Sequence, residues 1–543
     1  TEERQGEYTV SRTYDGEGNC TRITSSLGAD IRHTYDREGN LQTMQAGEGW
    51  QASWVRDNTG LEVQRTFSGG VTVSTERDGF GREVRKSVRS GGIERGAYRY
   101  EWGIAGRLLS KENELTGTVM RYDYDRFDFL IRQETIQGSE TDVIYRVPDF
   151  VGNLFGTPDR KDRKYGAGGK LLEDPDCFYH YDDEGNLIFR EFKRLQETGV
   201  RYDRKRMEKE RGIRCLATGT GWLYEWASNG MLKKVIRPDG RPVEFRYDAL
   251  GRRTAKQYFG KVTRWVWDGN VPIHEWSYKA IGLQSDEKGN TLPKEPVEDI
   301  TTWVFEAGTF VPTAKIQESK QYSIVSDYLG TPIQMYDGQG NKTWDCTLDI
   351  YGKVLAVDKG TEFDCPFRFQ GQYADEETGL YYNRLRYYSI EIGGYLSQDP
   401  IHLNGGIINL YGYVYDSNTW IDIWGLYKTV IFPQDKVISQ VTIKMQGDRN
   451  WDYKAANEAA NITGVRGKAT INSHIQQYGD VVWHHASYNA NTNECIMQLV
   501  RIPDHKAEIP HEGAVKQFEA TTGTKYGQTD AKAKAEELNK KHH

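Results

Sequence analysis

Four aspartates, Asp15, Asp36, Asp57 and Asp78, stand 21 residues apart and open the same short phrase each time. The copies read Tyr14-Asp15-Gly16-Glu17-Gly18-Asn19, Tyr35-Asp36-Arg37-Glu38-Gly39-Asn40, Arg56-Asp57-Asn58-Thr59-Gly60-Leu61 and Arg77-Asp78-Gly79-Phe80-Gly81-Arg82. A fixed register of this length predicts one small structural unit used repeatedly. An Asp at a turn entrance accepts backbone N–H bonds, and the Gly supplies positive φ. Flanking alternation such as Val243-Glu244-Phe245-Arg246-Tyr247 reads as strand. Looser copies begin at Tyr124-Asp125, Pro148-Asp149, Tyr181-Asp182, Tyr247-Asp248 and Tyr336-Asp337. A strand, turn and strand cannot bury its own apolar face, so neighbouring units are expected to pair into one long sheet that twists and curls.

The 57 Gly, 34 Tyr and 14 Trp in 543 residues suit many short strands joined by Gly-bearing turns. No window offers the roughly 18 apolar residues needed to span a bilayer, and Thr1 to Tyr8 lack a basic-then-apolar leader. The chain opens without Met directly into a repeat, so an upstream part is expected. Six cysteines (Cys20, Cys177, Cys215, Cys346, Cys365, Cys495) are scattered without a CxxC pair, which fits synthesis in a reducing cytoplasm. The net charge of −7 is uneven: residues 427–543 hold 15 Lys/Arg against 13 Asp/Glu, leaving −9 on the rest. The body therefore lacks a basic footprint for nucleic acid.

The Tyr-Asp-x-x-Gly-x-Leu register resembles the Rhs/YD-repeat family over residues 1–426, and the resemblance implies a spiral β-sheet enclosing a hollow cocoon. Near the end of this region come Gly379-Leu380-Tyr381-Tyr382-Asn383-Arg384-Leu385-Arg386, Gln398-Asp399-Pro400-Ile401-His402 and Trp420-Ile421-Asp422-Ile423-Trp424-Gly425-Leu426. They are similar to the terminal module of Rhs cores, an aspartyl autoprotease with a DPxG and a DPxGL block. The resemblance assigns Asp399 and Asp422 as the catalytic acids and the bond from Leu426 to Tyr427 as the scissile one. Two carboxylates brought together cannot both ionise cheaply, so one can serve as general acid while the other activates water. This chain departs from the pattern at His402, where the family has Gly, at Ile423, where it has Pro, and in a spacer of 19 residues.

After Leu426 the turn signature stops, and seven of the 11 His fall in the final 117 residues. The closing His542 and His543 are left out of any site. Residues 452–460 read as a helix with Asp452 near its N-terminus. Gly479-Asp480-Val481-Val482-Trp483-His484-His485 and Cys495-Ile496-Met497-Gln498-Leu499-Val500 read as two strands joined by a hairpin, followed by Asp504-His505, Pro510-His511 and a helix. This ββα unit resembles the WHH family of the HNH/endonuclease VII nucleases. The resemblance implies His485 as general base, His484 and His511 as metal ligands, and His505 as a third ligand or a phosphate contact. Gln498 would orient the base, with Asp452, Arg449 and Trp483 in support. The ion would be Mg²⁺, with Zn²⁺, Mn²⁺ or Ni²⁺ as alternatives. Lys525, Lys532, Lys534, Lys540 and Lys541 form a basic tail on a helical stretch, suited to phosphates or to solvent.

The sequence thus predicts a mainly β chain: a YD-repeat shell over 1–375, an autoprotease module over 376–426 and a small α+β metal-dependent nuclease over 427–543. The resemblance implies an antibacterial effector made in the cytoplasm and exported by a type VI-like secretion system for interbacterial competition. It would release a DNase in the target-cell cytoplasm. Implied partners are DNA, a cognate immunity protein, an upstream delivery domain or secretion spike, and a chaperone, with a nuclease or shell dimer left open. The alternative is a non-enzymatic adhesion or carbohydrate-binding protein with an inert tail.

Overall fold

A computed structural model describes residues 1–103, 106–280, 284–285, 291–292, 295–318, 320–400, 409–426, 437–460, 462, 481–489, 493–501, 515, 518, 522 and 524–541. The chain divides into two compact units, Thr1–Gln398 with Asn409–Leu426, and Asp399–Ile408 with Tyr427–His543.

The 21-residue register is a register of turns. At Asp36 the backbone N–H of Gly39 donates to the Asp36 carbonyl at 3.1 Å, and the Asp36 N–H donates to the Asn40 carbonyl at 2.9 Å. The carboxylate accepts the N–H groups of Glu38 (3.0 Å) and Asn40 (2.8 Å). Gly39 sits at φ 82°, the left-handed conformation that closes a type I turn with a bulge. The strand pairing accordingly slips between Thr34 and Tyr35. The same pattern recurs at Asp15, Asp57 and Asp78. Between turns, strands alternate: in Trp50–Arg56, Trp50, Ala52 and Trp54 are buried and their neighbours are not.

Repetition yields two long antiparallel sheets in which almost every strand pairs with its sequence neighbour. Among the described residues, fourteen strands run from Glu2 to Tyr145 and sixteen from Lys164 to Lys359. One core joins the two sheets, with Trp50, Trp54 and Tyr100 from the first meeting Trp276, Val304 and Tyr336 from the second. A second core backs the later sheet with Phe367, Tyr382 and Tyr387, which belong to the small four-stranded sheet between Tyr373 and Tyr395 or to its approach. Residues 376–398 and 409–426 lie in the same compact unit as the repeats. Their aromatic side chains need the repeat strands for burial.

The second unit has a three-stranded antiparallel sheet ordered Val437–Lys444, Glu494–Arg501, Val481–Asn489. The two expected strands are present, and a third, Val437–Lys444, pairs along the other edge of Glu494–Arg501. With α1 assigned to Arg204–Arg211 in the first unit, α2 spans Arg449–Ala459 and α3 spans Thr529–Lys541. The α2 helix starts three residues before the expected position because Asp448 caps it, accepting from Asn450 at 3.0 Å. Ala456, Trp483, Met497, Leu499 and Ala531 build its core.

Candidate functional site

Asp422 occupies the repeat turn in a buried setting. Its Oδ1 accepts the N–H groups of Trp424 (3.2 Å) and Leu426 (3.0 Å), at the same +2 and +4 positions as in the exposed turns. Gly425 again takes positive φ, at 62°. The other oxygen, Oδ2, accepts the Tyr395 hydroxyl at 2.7 Å and the Arg386 guanidinium at 3.4 Å. Arg386 is buried over the Tyr395 ring, 3.6 Å from its centroid, and also donates to the Gly425 carbonyl. Asn383 donates to the Asp422 carbonyl at 2.8 Å. Burial, followed by the Asp422 charge, pushes the Tyr395 phenol well up, so it stays a donor. The acid is thus fastened to the N–H of Leu426, the residue before the bond expected to break. Asp399 is buried too and belongs to the other compact unit. Tyr427 and His402 lie outside the described residues.

In the second unit, His485 is held through Nε2. The ring nitrogen lies 3.1 Å from Asp452 Oδ2 and 3.1 Å from the Tyr526 hydroxyl, which itself donates to Asp452 Oδ2. Asp452 projects from α2, and its Oδ1 accepts the Gln446 N–H at 2.6 Å. Asp452 is fully buried and His485 nearly so. Tyr453 lies against the imidazole at 5.8 Å between centroids. Burial first, and Asp452 second, drive the Tyr526 phenol far up. A carboxylate at Nε2 favours the proton on that nitrogen, which leaves the lone pair on Nδ1 as a proton acceptor.

His484 and His485 are both buried in a strand whose register shifts just after His485. His484 pairs with Gln498 across the ladder, and Gln498 donates to Gln440 at 2.8 Å; His485 pairs with Met497. Asp452 and the Tyr526 hydroxyl hold the imidazole at Nε2. Trp483, on the His485 face, donates to Asn457 at 2.7 Å and ties the strand to α2. Arg449 opens α2 and is exposed. His505 and His511 lie outside the described residues. Among the described residues, no three His, Cys, Asp or Glu side chains gather so as to hold a metal ion. Tyr526 and Tyr395 were not singled out by the sequence, and Asn457 and Arg386 stood in the motifs without an assigned role. Their partners stand 26 to 74 residues away, and no local spacing announces such pairs.

Residues 297–417 match the Teneurin YD-shell family and residues 228–263 match the RHS Repeat. The chain is 30% identical over 350 residues to double-stranded DNA deaminase toxin A of Burkholderia cenocepacia, which covers 61% of this chain and 21% of that protein. Both kinds of match support a Rhs/YD-repeat shell. Another relative is the "Probable deoxyribonuclease RhsA" of Dickeya dadantii, 28% identical over 302 residues, covering 54% of this chain and 19% of that one. The chain spans about a fifth of the length of these relatives. Its fold is similar to the crystal structure of TcdB2-TccC3-Cdc42, with a TM-score of 0.55 at 19% identity over 77% of this chain and 22% of that one. The long antiparallel sheets thus recur in the fold of that structure. No described helix is long and apolar enough to cross a membrane.

Proposed function

We propose that this chain is the shell and cargo of a delivered antibacterial toxin, in which the shell cuts itself after Leu426 and the tail is an endonuclease acting on DNA. The observation that carries the reading is the buried turn at Asp422, whose carboxylate grips the N–H of Leu426. A turn acid serving structure alone has no need of a buried Arg and Tyr on its second oxygen. Asp399 is proposed as the second acid. In the tail, Asp452 and Tyr526 fix His485 so that Nδ1 can take a proton from an attacking water. The described donors alone do not make a metal site; the proposed ligand set, His484 with His505 and His511, rests on the resemblance. A bound divalent ion would supply charge neutralisation at the phosphodiester. The toxin names of the relatives agree with this reading, as does the deoxyribonuclease name of one. Export, an immunity protein and release inside a competing cell belong to the same proposal.

Two measurements on the full chain test it. On a denaturing gel the wild type should run as two fragments divided after Leu426, whereas Asp422→Asn and Asp399→Asn should run as one. Plasmid DNA incubated with the processed protein should be degraded in Mg²⁺, spared by a chelator and spared by His485→Ala. A single full-length wild-type band would remove the protease, and intact DNA in every divalent metal would remove the nuclease.

A further inference from the structure

Between the strands Leu187–Phe192 and Gly221–Trp226, where most other strand pairs are joined by tight turns, the chain makes an excursion over residues 193–220. It is rigidly built. Met207 and Ile213 pack on Phe189 and Leu223, and α1 is capped by Asp203 at one end and by Gly212 at φ 66° at the other. The buried carboxylate of Glu191 accepts the N–H groups of Leu216 (2.7 Å), Ala217 (2.8 Å) and Gly219 (2.8 Å). Burial raises that carboxyl, but His180 and these N–H groups outweigh it and hold it at about 2, so the anchor persists at any physiological pH.

The excursion has a charge of its own. Residues 193–214 carry nine Lys/Arg against four Asp/Glu in a body of net charge −9. Arg206 pairs with Glu210 and Arg211 with Glu225. Arg194, Arg201, Lys205, Lys209 and Arg214 are exposed and have no acidic partner among the described residues; Glu197, Asp203, Glu208 and Glu210 are the exposed acids beside them. Three aliphatic side chains of the excursion are exposed as well, Leu195 64%, Val200 42% and Leu216 60%. Val200 abuts the turn at Gly240, next to which Arg241 lies over the Phe259 ring, itself 75% exposed.

We propose that this excursion docks the shell on an anionic lipid surface, with its unpaired basic side chains on the headgroups and Leu195, Val200 and Leu216 in the interfacial layer. Exposed aliphatics among unpaired cations fit the boundary between headgroups and acyl chains. Seven of the eight residues of α1 face outward, giving a ridge, and neither described cavity is lined by the excursion. A ridge offers a protein partner no groove. Nucleic acid is disfavoured because the excursion holds a single aromatic, Tyr202, and that ring is half-buried against Phe189. The negative charge of the rest of the shell is screened beyond about 10 Å, so the local patch decides.

The test is flotation of the full chain with vesicles of phosphatidylcholine, with and without about 30% phosphatidylglycerol. Binding is expected only to the anionic vesicles and should fall steeply between about 0.1 and 0.5 M salt. Replacing Arg201, Lys205, Lys209 and Arg214 together by Ala should weaken it about a hundred-fold, and the pair Leu195→Ser and Leu216→Ser should weaken it about ten-fold. Lys161→Ala, at an exposed lysine outside the excursion, should change nothing and reports on general charge. Equal binding to neutral vesicles, no binding to either, or undiminished binding by the quadruple variant would overturn the proposal. So would duplex DNA retention that the quadruple variant loses while vesicles go unbound, because the patch would then be a nucleic-acid surface.

Discussion

The turn at Asp36 and the turn at Asp422 share a backbone design and differ in what surrounds it. In both, one carboxylate oxygen takes the N–H groups two and four residues on, and a Gly at +3 has positive φ. At Asp36 the other oxygen meets only the side chain of Asn40, at 3.1 Å. At Asp422 it meets Tyr395 and a buried Arg386. The surface turn uses the aspartate as a hydrogen-bond acceptor, a task that needs no charge. The buried turn keeps a charge out of water and supplies a cation to balance it. Repeat geometry alone is thus a structural device, and burial with a dedicated partner is what sets Asp422 apart as a candidate for chemistry.

The largest test of this contrast removes the cation. Arg386→Met keeps the bulk over Tyr395 but leaves the Asp422 carboxylate buried without its counter-charge, a loss expected to cost the shell about 3–5 kcal/mol. The double variant Arg386→Met with Asp422→Asn should recover much of that, because the neutral amide still accepts the two N–H bonds. Denaturant titration of both variants reads the difference; equal stability of the two would mean that the charge pair is not what the burial demands.

A third turn sharpens the comparison through pH. Asp349 has the same two bonds, from Tyr351 (2.8 Å) and Lys353 (2.9 Å), but is buried without a paired cation among the described residues, and burial lifts its carboxyl from the ordinary 3.8 to about 6. Asp416 is lifted to about 6 by the same cause. The surface turn acids Asp15 and Asp57 shift the other way, chiefly through bonds from Asn19 and Thr59. A carboxyl raised on folding ionises more readily in the unfolded chain, so its contribution to stability is greatest below about pH 4, declines as pH rises to about 6, and stays lost above. At about 1.4 kcal/mol per unit, Asp349 costs up to roughly 3 kcal/mol at neutral pH. Asp349→Asn should therefore stabilise the shell near pH 8 and make little difference near pH 4. Melts in which wild type and variant differ equally at both ends would show that Asp349 is not held protonated.

These turns also show what a sequence can disclose. The fold was legible because its determinants are local: an Asp, a Gly three residues later and alternation on either side specify each hairpin, and repetition specifies the sheet. Asp422 was legible for the same reason, although its DIWGL phrase shows nothing of Arg386 or Tyr395. Those partners reach it across a small sheet whose packing depends on repeat strands more than a hundred residues earlier, such as the one holding Tyr247, whose hydroxyl lies 2.8 Å from that of Tyr387. In the tail the sequence marked His485 and Asp452 separately. That they bond to each other follows from the packing of α2 on the sheet, and Tyr526 enters from a third segment. The third strand was also readable, since Val437-Ile438 and Val441-Thr442-Ile443 have strand composition.

The smallest effect belongs to the surface turn. Asp36→Ala removes an acceptor for two backbone N–H groups that water can reach, so the expected loss is about 1 kcal/mol, in the range of a helix cap. Asp36→Asn should cost almost nothing, because Oδ1 of an amide accepts the same bonds. At Asp422 the same Asp→Asn change breaks the pairing with Arg386 and leaves that cation buried alone. The ratio of Asp→Asn to Asp→Ala effects, near zero at Asp36 and near or above one at Asp422, is read from four denaturation curves. Similar ratios at the two turns would erase the distinction between a scaffold acid and a charged one, and with it the structural reason for singling out Asp422.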